Sequence, residues 1–138
     1  LKDKDFELRG FHKHSVSPGS EGWYRYHPTN PLRYIIITDA DDVTQLPIIG
    51  KRTMVTYYGP EGKYGVDDPM FAIIVVPTGS HAECQAGVEQ NTIHALDAVI
   101  DFMVKVMMRN HKRAEKSKSM KIGINTAANN MGLKPLLQ

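Results

Sequence analysis

Cysteine is nearly absent: Cys84 stands alone among 138 residues. No disulfide can close within the chain and no cysteine-based zinc site can be assembled from it, so a reducing compartment is the simpler expectation. Long hydrophobic runs are missing as well, since none approaches the roughly 18 apolar residues that a membrane span requires. The opening Leu1-Lys2-Asp3-Lys4-Asp5 is charged, unlike a signal peptide, and a soluble, unsecreted chain is expected. An excess of one charge is lacking too. With 17 basic and 15 acidic residues the formal charge is +2, too small to mark a polyanion binder through bulk charge.

What is present fits one α+β domain, because a second core would leave each half near the size at which folding alone becomes marginal. Residues 1–79 read as sheet, 80–116 as a long helix and 117–138 as a basic C-terminal segment. In the sheet region, Phe6 to Phe11 alternates apolar and polar residues, and Ser17-Pro18-Gly19-Ser20-Glu21-Gly22 is a turn. Trp23 to His27 is extended up to the prolines at 28 and 31, and Leu32 to Thr38 holds the β-branched run of a central strand. Asp41 or Asp42 is placed to cap a short helical turn before Leu46-Pro47. Arg52 to Tyr58 is a further strand, Gly59-Pro60-Glu61-Gly62 turns into Lys63 to Val66, and Met70 to Val76 is an apolar last strand. The count predicts an antiparallel sheet of about five strands, one face of which a helix covers.

Ser80-His81-Ala82-Glu83 matches the capping box and marks the helix start. Ile93, Leu96, Ile100, Met103 and Met107 follow the three-four spacing of one face, while Val99, Phe102, Val104, Val106 and Met108 widen it. A helix so broadly apolar is expected to be covered on more than one side, by its own sheet and by another chain or an ordered ligand, with Val99, Phe102, Met103, Val106 and Met107 at an oligomer interface. Asp101 and Lys105 are set for an i,i+4 pair. After Lys116, Met120 to Ile124 reads as a short strand, and Asn125 or Thr126 as the cap of a last helical turn.

Few residues suggest chemistry. His81 and Cys84 share a helix N-terminal face, where a thiolate is favoured, although Cys84 also lies on the apolar row through Val88, Ala95 and Val99. Asp39, Asp41 and Asp42, with Asp67 and Asp68, sit at strand ends where carboxylates hold hard cations, but no calcium-loop spacing is present and turn chemistry explains them equally. His12 and His14 lie on one side of an extended segment, without the helical tyrosine that a nicking nuclease would require. Gly59 to Lys63 lacks the Ser/Thr and the following helix of a phosphate loop. A small hydrolytic or metal-dependent enzyme built on His81/Cys84 or on Asp39/Asp41/Asp42 is therefore the alternative reading; no cofactor, metal or catalytic residue is expected in the preferred one.

The charge is unevenly placed. Lys105, Arg109, Lys112, Arg113, Lys116, Lys118 and Lys121 face one acid, Glu115, so 105–121 carries +6 and the remainder −4. Such a segment attracts polyanions, with affinity that falls as salt rises. Trp23, Tyr24, Tyr26, Tyr34, Tyr57, Tyr58 and Tyr64 are interleaved with Arg25, Arg33, Arg52 and Lys63, a pattern suited to stacking unpaired bases. Arg25 and Tyr57 from the sheet, with Arg109, Lys112, Arg113, Lys116, Lys118 and Lys121, are the candidate nucleic-acid contacts. Sheet-then-helix order occurs in single-stranded nucleic-acid binders and in small RNA-phage coat proteins, an analogy of fold alone. The expectation is a non-enzymatic, self-associating subunit of a larger assembly, viral or phage among the candidates, touching single-stranded nucleic acid inside a cell or within a virus particle. Leu1 in place of methionine and the terminal Leu136-Leu137-Gln138, similar to viral cysteine-protease cleavage sites, are consistent with a trimmed or processed chain.

Overall fold

The computed structural model describes residues 2–48, 50–62, 69–77 and 85–130, with side chains at all of these except 16, 85–89 and 121–130. Two compact units divide the chain, Leu1–Met107 and Met108–Gln138.

The first unit is built on an antiparallel sheet whose spatial order follows the chain: β1 (His12–Ser17), β2 (Ser20–Tyr26), β3 (Tyr34–Asp39), β4 (Thr53–Tyr58) and β5 (Pro69–Val75). The expected sheet followed by one long helix is thus the observed architecture. Strand alternation sorts the side chains into two layers. Trp23, Ile35, Ile37, Val55, Tyr57 and Val75 point to one side, where Leu96, Ile100, Met103 and Met107 of the helix α2 (Gln85–Asn130) close over them. Ile35, Ile37, Val55, Tyr57 and Met103 are 0% exposed, so burial of each contributes roughly 1.5–3 kcal/mol.

Three expectations are corrected. Phe6 to Phe11 is not a strand: Asp3–Glu7 forms a short helix, α1, in which Asp5 accepts the Lys2 amide at 2.8 Å and the early carboxylates favour the helix N-terminus. Phe6 stacks on Trp23, centroids 4.9 Å apart, so one buried ring decides the segment while Leu8 is left 77% exposed. Gly10, at φ +84°, then reverses the chain into β1. Asp42 caps no helix; its Oδ1 accepts from the Thr44 amide and hydroxyl, closing a turn. The long helix does not stop near Lys116 and no strand forms over Met120 to Ile124, because helical conformation persists to Asn130. Alanine, lysine, glutamate and methionine dominate 114–121, and the single glycine after Lys116 in the helix, Gly123, costs only about 1 kcal/mol. The capping box at Ser80, the pair His81/Cys84 and the strand expected at Lys63 to Val66 lie outside the described residues.

Within the first unit the predicted Asp101 to Lys105 pair is present at 2.9 Å. The second unit is described as helix from Met108 to Asn130, with residues 112, 113 and 115–120 exposed.

Candidate nucleic-acid interface

The face of the sheet away from the core of α2 is aromatic. Register sets Tyr24 beside Ile36, Tyr26 beside Tyr34, and Tyr34 beside Tyr58, all on this side. Tyr34 and Tyr58 stack with centroids 4.9 Å apart and planes 11° from parallel. Tyr24 lies 5.6 Å from Tyr34, and His14 meets Tyr24 edge-on at 5.3 Å. A row of rings thus crosses four strands, the cross-strand arrangement that stabilises sheets by about 0.2–1 kcal/mol per pair. Beside it lies a shallow depression of about 380 Å³, walled by Tyr24, Tyr34 and Tyr58 and floored in part by Thr38, Met54 and Thr56.

Burial shapes the electrostatics of these rings. Burial raises the Tyr24 hydroxyl above its ordinary pKa, and neighbouring Tyr26 and Tyr58 push the same way; burial raises Tyr26 likewise. The Tyr24 and Tyr26 phenols therefore stay neutral through physiological pH.

The arginines expected to alternate with the rings are engaged elsewhere. Arg25 is on the helix-covered side, its Nη1 donating to the Arg9 carbonyl at 2.9 Å. Arg33 is 1% exposed and forked onto Glu61, with Nη1 at 2.7 Å from Oε2 and 3.2 Å from the Tyr57 hydroxyl. Both hydrogen bonds strengthen the protonated guanidinium and raise its pKa, that from Glu61 most. Arg52 pairs with Asp41. Tyr57 is 0% exposed in the core, so it is not a stacking surface in this fold. On the opposite face Tyr26, Tyr34 and Tyr58 keep exposed ring surface, whereas Tyr24 beside them is only 5% exposed. Parity could have sorted them in the sequence, since Tyr24 and Tyr26 alternate with Trp23 and Arg25.

The basic cluster falls in the second unit. Arg109, Lys112, Arg113, Lys116 and Lys118 are exposed there, and the side chain of Lys121 is outside the described residues. At about 100° per residue, Arg109, Lys112, Arg113 and Lys116 fall within one helical stripe and Lys118 on the opposite side.

Of the helix residues expected at an oligomer interface, Met103, Val106 and Met107 are buried against the chain's own sheet and Val99 is half-buried; Phe102 is 50% exposed. The acidic group is spent locally. Asp41 binds Arg52, Asp42 binds Thr44, and Asp39 Oδ2 accepts the Asp42 amide at 2.9 Å while Oδ1 is buried without a partner. Among the described residues no three His, Cys, Asp or Glu side chains converge as a metal site. No helix among them is long and apolar enough to cross a membrane.

No protein-family model matches the chain, and neither a curated protein nor a solved structure does.

Proposed function

We propose that the protein is a non-enzymatic, self-associating subunit that binds single-stranded nucleic acid, its tyrosine face stacking unpaired bases and its basic helical stripe neutralising phosphates. The observation that carries this reading is the stacked Tyr34 and Tyr58 pair beside an open depression. Stacking on aromatic rings is tolerant of base identity and contributes about 1–3 kcal/mol per base. Thr38 and Thr56 line the depression, the Thr38 hydroxyl already donating to the Asp39 carbonyl at 3.2 Å. The face itself carries no lysine or arginine among the described residues, which separates the two contributions: stacking here, charge neutralisation at Arg109, Lys112, Arg113 and Lys116.

Self-association is supported by apolar surface left at Phe102, Ile74 and Val76, 50%, 46% and 53% exposed. A virus or phage particle is one assembly in which such a subunit would serve. The decisive experiment is the mass and ultraviolet absorbance ratio of the purified protein, followed by binding of a fluorescent single-stranded oligonucleotide across a salt series. A large mass with bound nucleic acid, and affinity that declines with salt, are the expected results. A strict monomer that ignores oligonucleotides would overturn the proposal.

A further inference from the structure

The two outer strands of the sheet differ in how they meet solvent. β1 is guarded: Lys13 reaches Asp3 at 3.0 Å and lies 5.5 Å over the Trp23 ring, and its register with β2 shifts between His14 and Ser17. Charge and irregularity of this kind discourage a further strand from adding. β5 has neither protection along its outer part. Met70 to Val76 contains no charged residue, its pairing with β4 runs unbroken from Phe71 to Val75, and Pro69 occupies the first position, which an edge strand tolerates. Among the described residues no strand pairs with its outer side. Apolar side chains are exposed on both faces of this edge. Ile74 is 46% exposed on the tyrosine side, and Phe102, 6.0 Å from Phe71, is 50% exposed on the helix side.

We infer that β5 is the joint between two copies of this chain, paired antiparallel across a two-fold axis into a single sheet twice as wide. The inference rests on the self-association just proposed and supplies its surface. A second copy is the occupant because a two-fold contact sets a patch against itself. A charged strand would then face its own charge, whereas β5 is uncharged and complementary to itself. An unrelated peptide could take the same backbone hydrogen bonds, but the strand offers no charge with which to select it. Pairing centred on Ile73 puts Phe71 opposite Val75 of the partner subunit on the helix side, where Phe102 adds to the contact. On the other side Ala72 meets Ile74 of the partner subunit, and the two tyrosine faces become one continuous surface.

The test measures mass by sedimentation for the full chain after nuclease treatment, beside oligonucleotide binding by the same samples. Ile74→Lys sets like charges into the joint and Phe102→Glu removes the flanking apolar contact; each is expected to weaken self-association at least about tenfold. Leu8→Lys, at a residue 77% exposed away from β5, should leave it unchanged. With Cys84→Ser as background, a mixture of Ala72→Cys and Ile74→Cys proteins should form an interchain disulfide under mild oxidation, because opposed strand residues lie within disulfide reach. An oligomer indifferent to both edge variants, with no crosslink, overturns β5 as the joint while leaving self-association standing. A monomer that still binds oligonucleotide overturns self-association and the joint together but not the nucleic-acid reading. An oligomer that loses mass through Ile74→Lys and Phe102→Glu yet never binds oligonucleotide supports the joint and overturns the nucleic-acid reading alone.

Discussion

Arg9 grips Asp97 with both arms of its guanidinium: Nε meets Oδ1, and Nη2 lies 3.0 Å from Oδ2. The two residues are 88 positions apart, and the pair ties the turn after α1 to the helix that covers the core. The hydrogen bond from Arg9 holds the Asp97 carboxyl below its ordinary pKa, with the attraction of the same guanidinium adding to it. Asp97 side chain is 48% exposed, so solvent screening limits the pair to about 1 kcal/mol or less. An unfolded aspartate, pKa about 3.9, takes up its proton before the folded one does. The contribution is therefore complete above that pH and disappears as pH falls through the lower folded value. Thermal unfolding of Asp97→Asn should show a slightly lower midpoint at neutral pH and a difference from the parent protein that closes in acid. A gap that widens in acid would contradict the pairing.

Arg33 presents the opposite case, a cation 1% exposed whose fork depends on Glu61 in the turn after β4. Removing one member of a fully buried ion pair costs roughly 3–5 kcal/mol; with Glu61 side chain 41% exposed, Glu61→Gln should cost roughly 2–3 kcal/mol. Arg33→Met together with Glu61→Gln should recover part of that loss, since no buried charge then lacks a partner. Denaturant midpoints for the two single variants and the double would measure the coupling. Additive losses would show that the pair acts through packing alone.

The two sides of α2 can be told apart by neighbouring residues. Met103 is 0% exposed within the core and Phe102 is 50% exposed, one position earlier. Met103→Ala should destabilise by about 2–5 kcal/mol, because the space is only partly refilled. Phe102→Ser should change unfolding of the isolated chain by less than about 1 kcal/mol. Equal costs in chemical denaturation would place the helix in a different rotation on the sheet.

The sheet-then-helix order was legible because β-branched runs and the three-four spacing act at short range. α1 was not, since Phe6 and Leu8, separated by Glu7, imitate strand alternation, and only the stacking of Phe6 on Trp23 separates the buried position from the exposed one. The end of the long helix was obscured by Gly123 and the Ile122/Ile124 pair, weak breakers that helix-favouring neighbours outweigh. At the candidate site, alternation assigns Tyr24 and Tyr26 to one side and Trp23 and Arg25 to the other. It does not say which side the helix will cover. That choice depends on long-range packing, and it buries Tyr57 and turns Arg25 to the helix-covered side while leaving Tyr34 and Tyr58 beside the depression.

Charge and stacking should separate in binding experiments. If four cations of the stripe each neutralise one phosphate of a single strand, the plot of log affinity against log salt should slope at about −3, following the roughly −0.7 expected per contact. Replacing Arg109, Lys112, Arg113 and Lys116 together by glutamine should flatten that slope. Lys118→Gln, across the helix from the stripe, should alter it by less than one contact's share. A slope unaffected by the fourfold replacement would remove the stripe from the interface.

Tyr34→Ala and Tyr58→Ala provide the complementary measurement. Each removes one ring of the stacked pair, so oligonucleotide affinity should fall by about 1–3 kcal/mol, or roughly fivefold to more than a hundredfold, with the salt slope unchanged. Tyr34→Phe should retain most of the affinity, because the ring is kept and only its hydroxyl is lost. Tyrosine ionisation gives a readout without mutation. Burial already raises Tyr24 and Tyr26 above the ordinary value near 10, so folding stability attributable to them is intact below that pH and declines as the pH rises through the folded values. A neutral base laid over the face would exclude more water, and an anionic backbone nearby would oppose a phenolate; both raise these pKa values further. Spectroscopic titration of the tyrosines with and without oligonucleotide should therefore show a shift to higher pH on binding, diminished in Tyr34→Ala. A titration that bound oligonucleotide leaves unchanged, combined with normal affinity in both alanine variants, would exclude the tyrosine face as the contact surface and leave the basic stripe to act alone.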